Sequence, residues 1–203
     1  GVLGLAYYEG VAEQEEFRKS LILTGNQVGK TADQLSDMAT TISNVTGSTH
    51  GQAASVINQV VSAGNIAGDS LQKVSAAIVS ISDATGQATD KLVSDFSNIA
   101  NDPVAAITKL NDQYHFLTLA TYNQIKALQD EGNQQDAARV ASDAYATALS
   151  SRASEIKQNL GYMERGWDSL GNAAKFAWDK MLNVGREDTL QQQISKLEAE
   201  ISE

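Results

Sequence analysis

Pro103 is the only proline in a chain of 203 residues that carries 15 glycines. With one proline, little interrupts helical hydrogen bonding, and ending a helix falls to glycine, which accepts the left-handed backbone after a last turn. The stretch Asn101-Asp102-Pro103-Val104-Ala105-Ala106 is the most constrained point. Asp102 can accept from free backbone N–H groups, and proline at the first helical position gives up a donor that had no partner. One helix should end before Pro103 and another begin at it. Val104, Ile107 and Leu110 follow at helical spacing, and Tyr114, Phe116 and Tyr122 gather much of a sparse aromatic inventory just beyond. The stretch reads as a pivot between two helical halves.

No β alternation stands out on either side, so the expected class is all-α: glycine-punctuated antiparallel helical hairpins in an array or bundle. Residues 1–8 are apolar and glycine-interrupted, too short to assign. Helices are expected from Glu9 to Thr24, Thr31 to Val45, Gln52 to Ala63, Ser70 to Ala84 and Ala88 to Ala100, with Thr31 and Ser70 as N-cap candidates. After Pro103 a short helix should reach Asn111, a second run from Thr118 to Glu131, and Gly132 stop it. A longer one from Gln134 to Asn159 is expected to face inward through Val140, Ala144, Leu149, Ile156 and Leu160. Gly161 is expected to break it, so that Tyr162 to Asn183, with Trp167, Leu170, Phe176, Trp178 and Leu182, packs back on the preceding helix.

Gly25-Asn26 recurs as Gly64-Asn65 and Thr46-Gly47 as Thr85-Gly86, both after a shift of 39 (64 − 25 and 86 − 47). The same shift matches Gly29 with Gly68, Ser36 with Ser75, Ile42-Ser43 with Ile81-Ser82 and Ser55 with Ser94. Glycine punctuation with inexpensive Ser and Ala matches would produce such a pattern by chance. A duplicated hairpin, 25–63 on 64–102, would produce it by descent. Both lead to the same architecture. Residues 1–101 are thus expected to form a helical-hairpin repeat region and 102–185 a second helical region. Gly185 breaks the pattern once more, and 186–203 start a heptad helix: Leu190, Ile194, Leu197 and Ile201 form a coiled-coil-like seam with Gln, Lys and Glu between. That seam runs uncapped to Glu203 and the chain opens on Gly1 rather than Met, so a piece of a longer helical protein is expected.

Composition narrows function. A hydrophobic content of 42% is enough to bury a core. Without cysteine there are no disulfides or thiolate metal sites, and two isolated histidines make no metal cage. A formal charge of −10, with no run among the 15 basic residues, argues against a direct nucleic-acid grip. No segment approaches the ~20 apolar residues that cross a bilayer, so no membrane span is expected.

Several motifs tempt. Thr24-Gly25-Asn26-Gln27-Val28-Gly29-Lys30-Thr31 resembles a phosphate loop, but only three residues separate its glycines, Thr24 stands where the first glycine belongs, and a helix precedes it. Gly25/Gly29, Gly47/Gly51 and Gly64/Gly68 have the spacing of close-packed membrane helices in a polar context, and are expected to be turns. Asn44-Val45-Thr46 fits a glycosylation acceptor with no secretory signal to give it meaning. His115 could pair with Asp112, and His50, in a polar turn, is expected to be solvated. Glu155 and Glu164 suit a solvated helix face better than a pair of catalytic acids. No catalytic, cofactor-binding or metal-binding residue is expected, and no enzyme.

Asn101-Asp102-Pro103-Val104-Ala105-Ala106, then Leu110-Asn111-Asp112-Gln113-Tyr114-His115-Phe116-Leu117-Thr118, and Asn159-Leu160-Gly161-Tyr162-Met163-Glu164-Arg165-Gly166-Trp167-Asp168 together resemble the lambda-type prophage tail length tape measure protein family. The likeness runs from about Ala32 to about Gly185, in words specific for an all-helical sequence. It implies a structural role in phage tail assembly: made in the bacterial host cytoplasm, seated in the lumen of the virion tail tube, templating tube polymerisation, setting tail length, and released at DNA delivery. The implied partners are tail tube protein, tail assembly chaperones and tail tip proteins, with a homo-oligomer left open; the family's role brings no catalytic residues with it. An uninterrupted helix of this length would measure on the order of 300 Å. The expectation is a folded-back array that opens at Gly25, Gly47, Gly64 and Gly86 inside a tube. The rival is a cellular helical-repeat interaction module, which would need exposed aromatics or charges at the 39-residue period.

Overall fold

The computed structural model describes the backbone of residues 2–170 and the side chains of residues 10–159. The described backbone is helical without strands: α1 (Val2–Leu23), α2 (Ala32–Thr46), α3 (His50–Ala63), α4 (Leu71–Thr85), α5 (Thr89–Asn101), α6 (Pro103–Tyr114), α7 (Leu119–Asp130) and α8 (Gln134–Leu170). Two compact units divide the chain at Ser150/Ser151. The expected Gly185 break and the terminal heptads lie outside the described residues, as do the side chains of Trp167 and Leu170.

Local chemistry sets most boundaries. Thr31 and Thr49 each close a capping box: the Thr31 hydroxyl accepts from Gln34 N–H at 3.2 Å while Gln34 Oε1 accepts from Thr31 N–H at 2.9 Å, and Thr49 and Gln52 do the same at 3.1 Å each way. Because Thr49 is a cap, α3 begins at His50, two residues ahead of expectation. Ser70 stands in the cap position of α4 without a side-chain bond. Its backbone is helical (ψ −12°), whereas Thr31, Thr49 and Thr118 are extended (ψ 162°, 156° and 157°), the geometry that aims a hydroxyl back at the first turn. Thr31→Ala and Thr49→Ala should therefore each cost about 1 kcal/mol. Ser70→Ala should cost almost nothing, and urea denaturation checks the contrast. At the pivot, α5 ends at Asn101, Pro103 opens α6, and Asp102 Oδ1 accepts from Ala105 N–H at 3.4 Å.

Three expectations need correction. The helix expected from Glu9 already starts at Val2 and runs through Gly4 and Gly10, and α6 continues past Asn111 to Tyr114. Nor does α8 break at Gly161: it continues through Gly161 and Gly166 to Leu170, so residues 162–170 prolong the helix they were expected to fold back on. Glycine permits a left-handed turn but does not impose one. In a right-handed conformation it costs only about 1 kcal/mol against alanine.

Within residues 1–150 the packing follows an order. Each of the first five helices touches its successor, and α1 packs on α3, α2 on α4, and α3 on α5. That is the pattern of hairpins stacked in two layers, α1, α3 and α5 in one and α2 and α4 in the other. The helix pairs α2–α3 and α4–α5 are here called hairpin 1 and hairpin 2. Helices α2 and α4 begin and end at the shift seen in the sequence (71 − 32 and 85 − 46), and α3 and α5 begin at the same shift (89 − 50). Their buried positions share that offset: Ala32, Leu35, Ala39 and Ile42 answer to Leu71, Val74, Ile78 and Ile81. On the second helices Ala53, Ala54, Ile57 and Val60 answer to Leu92, Val93, Phe96 and Ile99.

Candidate functional site

Three constellations hold these helices together. The first is the turn inside each hairpin. Gly47 and Gly86 share a left-handed backbone, φ 75° in both with ψ 9° and 10°, which suits glycine because a Cβ there would crowd the following carbonyl. Around each the same three side-chain bonds recur, while Thr46 Oγ1 also lies 2.8 Å from Ser48 Oγ and Gln87 Oε1 accepts from Tyr114 Oη at 3.2 Å. Thr46 Oγ1 donates to Ile42 O at 2.7 Å and Thr85 Oγ1 to Ile81 O at 2.6 Å. Ser43 Oγ donates across the turn to Ser48 O at 2.6 Å, and Ser82 Oγ to Gln87 O at 2.8 Å. The threonine oxygens then accept from Ser48 N–H at 3.3 Å and Gln87 N–H at 3.2 Å. Each turn is a clasp that satisfies carbonyls a helix end leaves open.

The second is a polar seam between α1 and hairpin 1. Glu13, whose side chain is 17% exposed, accepts from Ser36 Oγ at 3.1 Å and pairs with His50 Nε2 at 2.9 Å; His50 Nδ1 lies 3.2 Å from Thr40 Oγ1. Ser20 Oγ donates to Asn58 Oδ1 at 2.6 Å and accepts from Ser62 Oγ at 3.0 Å. A groove of about 1000 Å³ opens between α1, α2 and α3 beside Glu13 and His50. His50 was expected to be solvated, and its side chain is 41% exposed; it also ties three helices, because with Thr49 as the cap His50 opens α3 beside α1 and α2.

The third is an aromatic node at the first turns of α8. Tyr145 is fully buried, with its ring centroid 4.9 Å from Phe96, 5.6 Å from Tyr114 and 5.8 Å from Phe116. Its hydroxyl donates to Asp95 Oδ2 at 3.1 Å, and Lys91 Nζ lies 3.6 Å from the same oxygen. Burial, then the neighbouring Tyr114 and the negative charge of Asp95, push the Tyr145 hydroxyl far above the usual phenol range, so it stays a donor. The loop that delivers Phe116 turns at His115, a non-glycine with φ 52°, and Asn111 Oδ1 holds it by accepting from Phe116 N–H at 2.9 Å and Leu117 N–H at 2.8 Å. Lys73 pairs with Asp143, and Arg139 with Asp69 at 2.9 Å, so the first half of α8 also grips α4 and the turn before it.

Thr24 to Thr31 is the loop between α1 and α2, with Asn26 Oδ1 accepting from Lys30 N–H at 3.0 Å and Val28 buried. Of the glycine pairs, Gly51 lies inside α3 rather than in a turn. No group of three or more metal-capable side chains occurs among the described residues, and no helix among them is long and apolar enough to cross a membrane. The first part of the inward stripe of α8 lies one residue from the expected one, and the Leu160 side chain lies outside the described residues. Leu149 and Ile156 are buried, but Ala141 and Tyr145 take the places assigned to Val140 and Ala144.

Comparison with known proteins places this architecture. A family model described as prophage tail length tape measure protein matches residues 1–126, including the stretch before Ala32 that the motif words did not reach. The tape measure protein of Escherichia phage N15 is 30% identical over 194 residues, 96% of this chain and 23% of the relative. That of Escherichia phage lambda is 29% identical over 199 residues, 98% of this chain and 23% of the relative. That of Pseudomonas phage PAJU2 is 28% identical over 173 residues, 85% of this chain and 19% of the relative. The chain thus spans under a quarter of the length of these curated relatives. No solved structure matches it.

Proposed function

The chain belongs to the prophage tail length tape measure protein family, and from that membership we propose that it is a segment of a structural phage tail protein that sets tail length by its own chain length. It occupies the lumen of the tail tube, templates polymerisation of the tube protein, works with tail assembly chaperones and tip proteins, and leaves when DNA is delivered. It acts by occupying length rather than by catalysis. The observation that carries this reading is the family match over the hairpin array itself, residues 1–126. The relatives matched are phage tail proteins, which leaves the cellular adaptor reading without support.

Length is the physical difficulty, and stacked hairpins answer it. Two helices folded on each other advance the array by about one interhelical spacing, ~8–10 Å. The same repeat drawn out as helix would span roughly 58 Å. The hairpins, a duplicated pair over 25–63 and 64–102, open at Gly25, Gly47, Gly64 and Gly86 when a narrow tube excludes the folded form. In-frame removal of residues 25–102 from the full-length protein should then shorten assembled tails by about 117 Å, measured by electron microscopy. Tails of unchanged length would overturn the reading.

A further inference from the structure

We propose that the array opens in a fixed direction, hairpin 1 before hairpin 2, because one hairpin is built twice with the same clasp but with unequal cores and unequal neighbours. At the eight buried positions related by the repeat, hairpin 2 carries the larger side chain at six. Leu71 stands for Ala32, Ile78 for Ala39, Leu92 for Ala53, Val93 for Ala54, Phe96 for Ile57 and Ile99 for Val60; only Val74 is smaller than its counterpart, Leu35. Beyond the shared positions, hairpin 1 buries Val56 and Val61, and hairpin 2 buries Ala77, Val79, Ala84 and the hydroxyl of Ser75; one buried serine does not reverse a difference carried by six larger apolar side chains. Each methylene removed from water favours the closed state, so closely similar clasps guard unequal reserves.

The neighbours point the same way. Hairpin 2 is held on its far side by α8, through the Phe96–Tyr145 ring contact and the Tyr145–Asp95 hydrogen bond. Hairpin 1 is held on its far side by α1, where Phe17 and Leu21 are buried but the seam is otherwise built of Glu13, Ser20, Ser36, His50, Asn58 and Ser62. Hydroxyl and carboxylate groups that exchange one partner for water on opening contribute little net stability. Opening therefore starts at the α1 end and runs toward the Tyr145 node, so that the chain is drawn out in sequence order. The use of this order in a tail rests on the function proposed above, whereas the order itself rests on the fold alone.

Hydrogen–deuterium exchange with mass spectrometry on the 203-residue chain tests it. Amides of 32–63 should exchange at least about tenfold faster than those of 71–101. Ser43→Ala with Thr46→Ala should speed exchange across 32–63 and leave 71–101 unchanged; Ser82→Ala with Thr85→Ala should speed exchange across 71–101. A single common rate for both hairpins, or faster exchange in 71–101, would overturn the proposal. The unmodified chain alone decides the order, so a clasp variant that fails to fold leaves the test standing. A failure here would leave the tail-length experiment, and the function it addresses, unaffected.

Discussion

Tyr145→Ala should cost about 3–5 kcal/mol in chemical denaturation, a large share of the stability of a domain this size. The ring is fully buried and is the one on which Phe96, Tyr114 and Phe116 all converge, so its removal leaves a cavity bounded by three aromatic faces that cannot all collapse into it. Those edges and faces belong to α5, α6 and the loop after α6, and the loss should appear as loosening of all three against α8. Tyr145→Phe separates the two parts of the effect. It keeps the ring and removes the hydroxyl with its bonds to Asp95 and Tyr114; Asp95, whose side chain is 16% exposed, is left with Lys91, and the change should cost about 1–2 kcal/mol. If the alanine variant cost no more than the phenylalanine variant, the node would not be a packing centre. The same hydroxyl gives a pH signature. Its folded-state proton is held more tightly than that of an unfolded tyrosine, so its contribution is complete below about pH 10 and declines as pH rises further. Tyr145→Phe should flatten that alkaline decline.

The sequence carries the helices more plainly than the contacts between them. Thr31, Thr118, Pro103 and the glycines at 25, 47, 86 and 132 mark boundaries because each performs its function within a few residues of itself, through a cap, a fixed φ or a left-handed turn. Ile42-Ser43, Thr46-Gly47 and their partners one repeat further on are legible for the same reason. They looked like inexpensive matches of common residue types, yet they supply the hydroxyls and carbonyls of the two clasps. What could not be read was tertiary. Tyr145 lies in an alanine-rich helix whose buried face is set by what α5 and α6 offer, and the alanines at 137, 141 and 146 are buried because they let that helix come close. Gly161 misled in the opposite sense: it has the residue type of a stop and, with no turn to make, remains inside a helix. His50 acquired partners from residues 13 and 40, a relation that local spacing does not contain.

Gly68 shows the same limit most sharply, and Gly68→Ala is expected to cost about 3 kcal/mol or more, as steric insertion does when the opposing atoms cannot move aside. Read from spacing, Gly68 is one of six punctuating glycines. Its φ is not positive, so its backbone would accept alanine. What excludes a side chain is the neighbouring loop: a Cβ at 68 would lie 2.0 Å from the carbonyl oxygen of Val28 and 2.9 Å from its carbonyl carbon. Both are backbone atoms, and the Val28 side chain is itself buried, so relief means parting the loop before α2 from the loop before α4. The first loop leads from α1 into hairpin 1 and the second from hairpin 1 into hairpin 2, and the strain should appear as loosened packing of α2 on α4. Gly47→Ala is the control. Its φ of 75° is unfavourable for alanine but nothing lies within 4 Å of the added atom, so it should cost only about 1–2 kcal/mol. Urea denaturation of the two variants compares a steric requirement with a conformational one. A cost for Gly68→Ala no greater than that for Gly47→Ala would mean that the loops can separate freely, and that contact between hairpins is not what fixes their stacking.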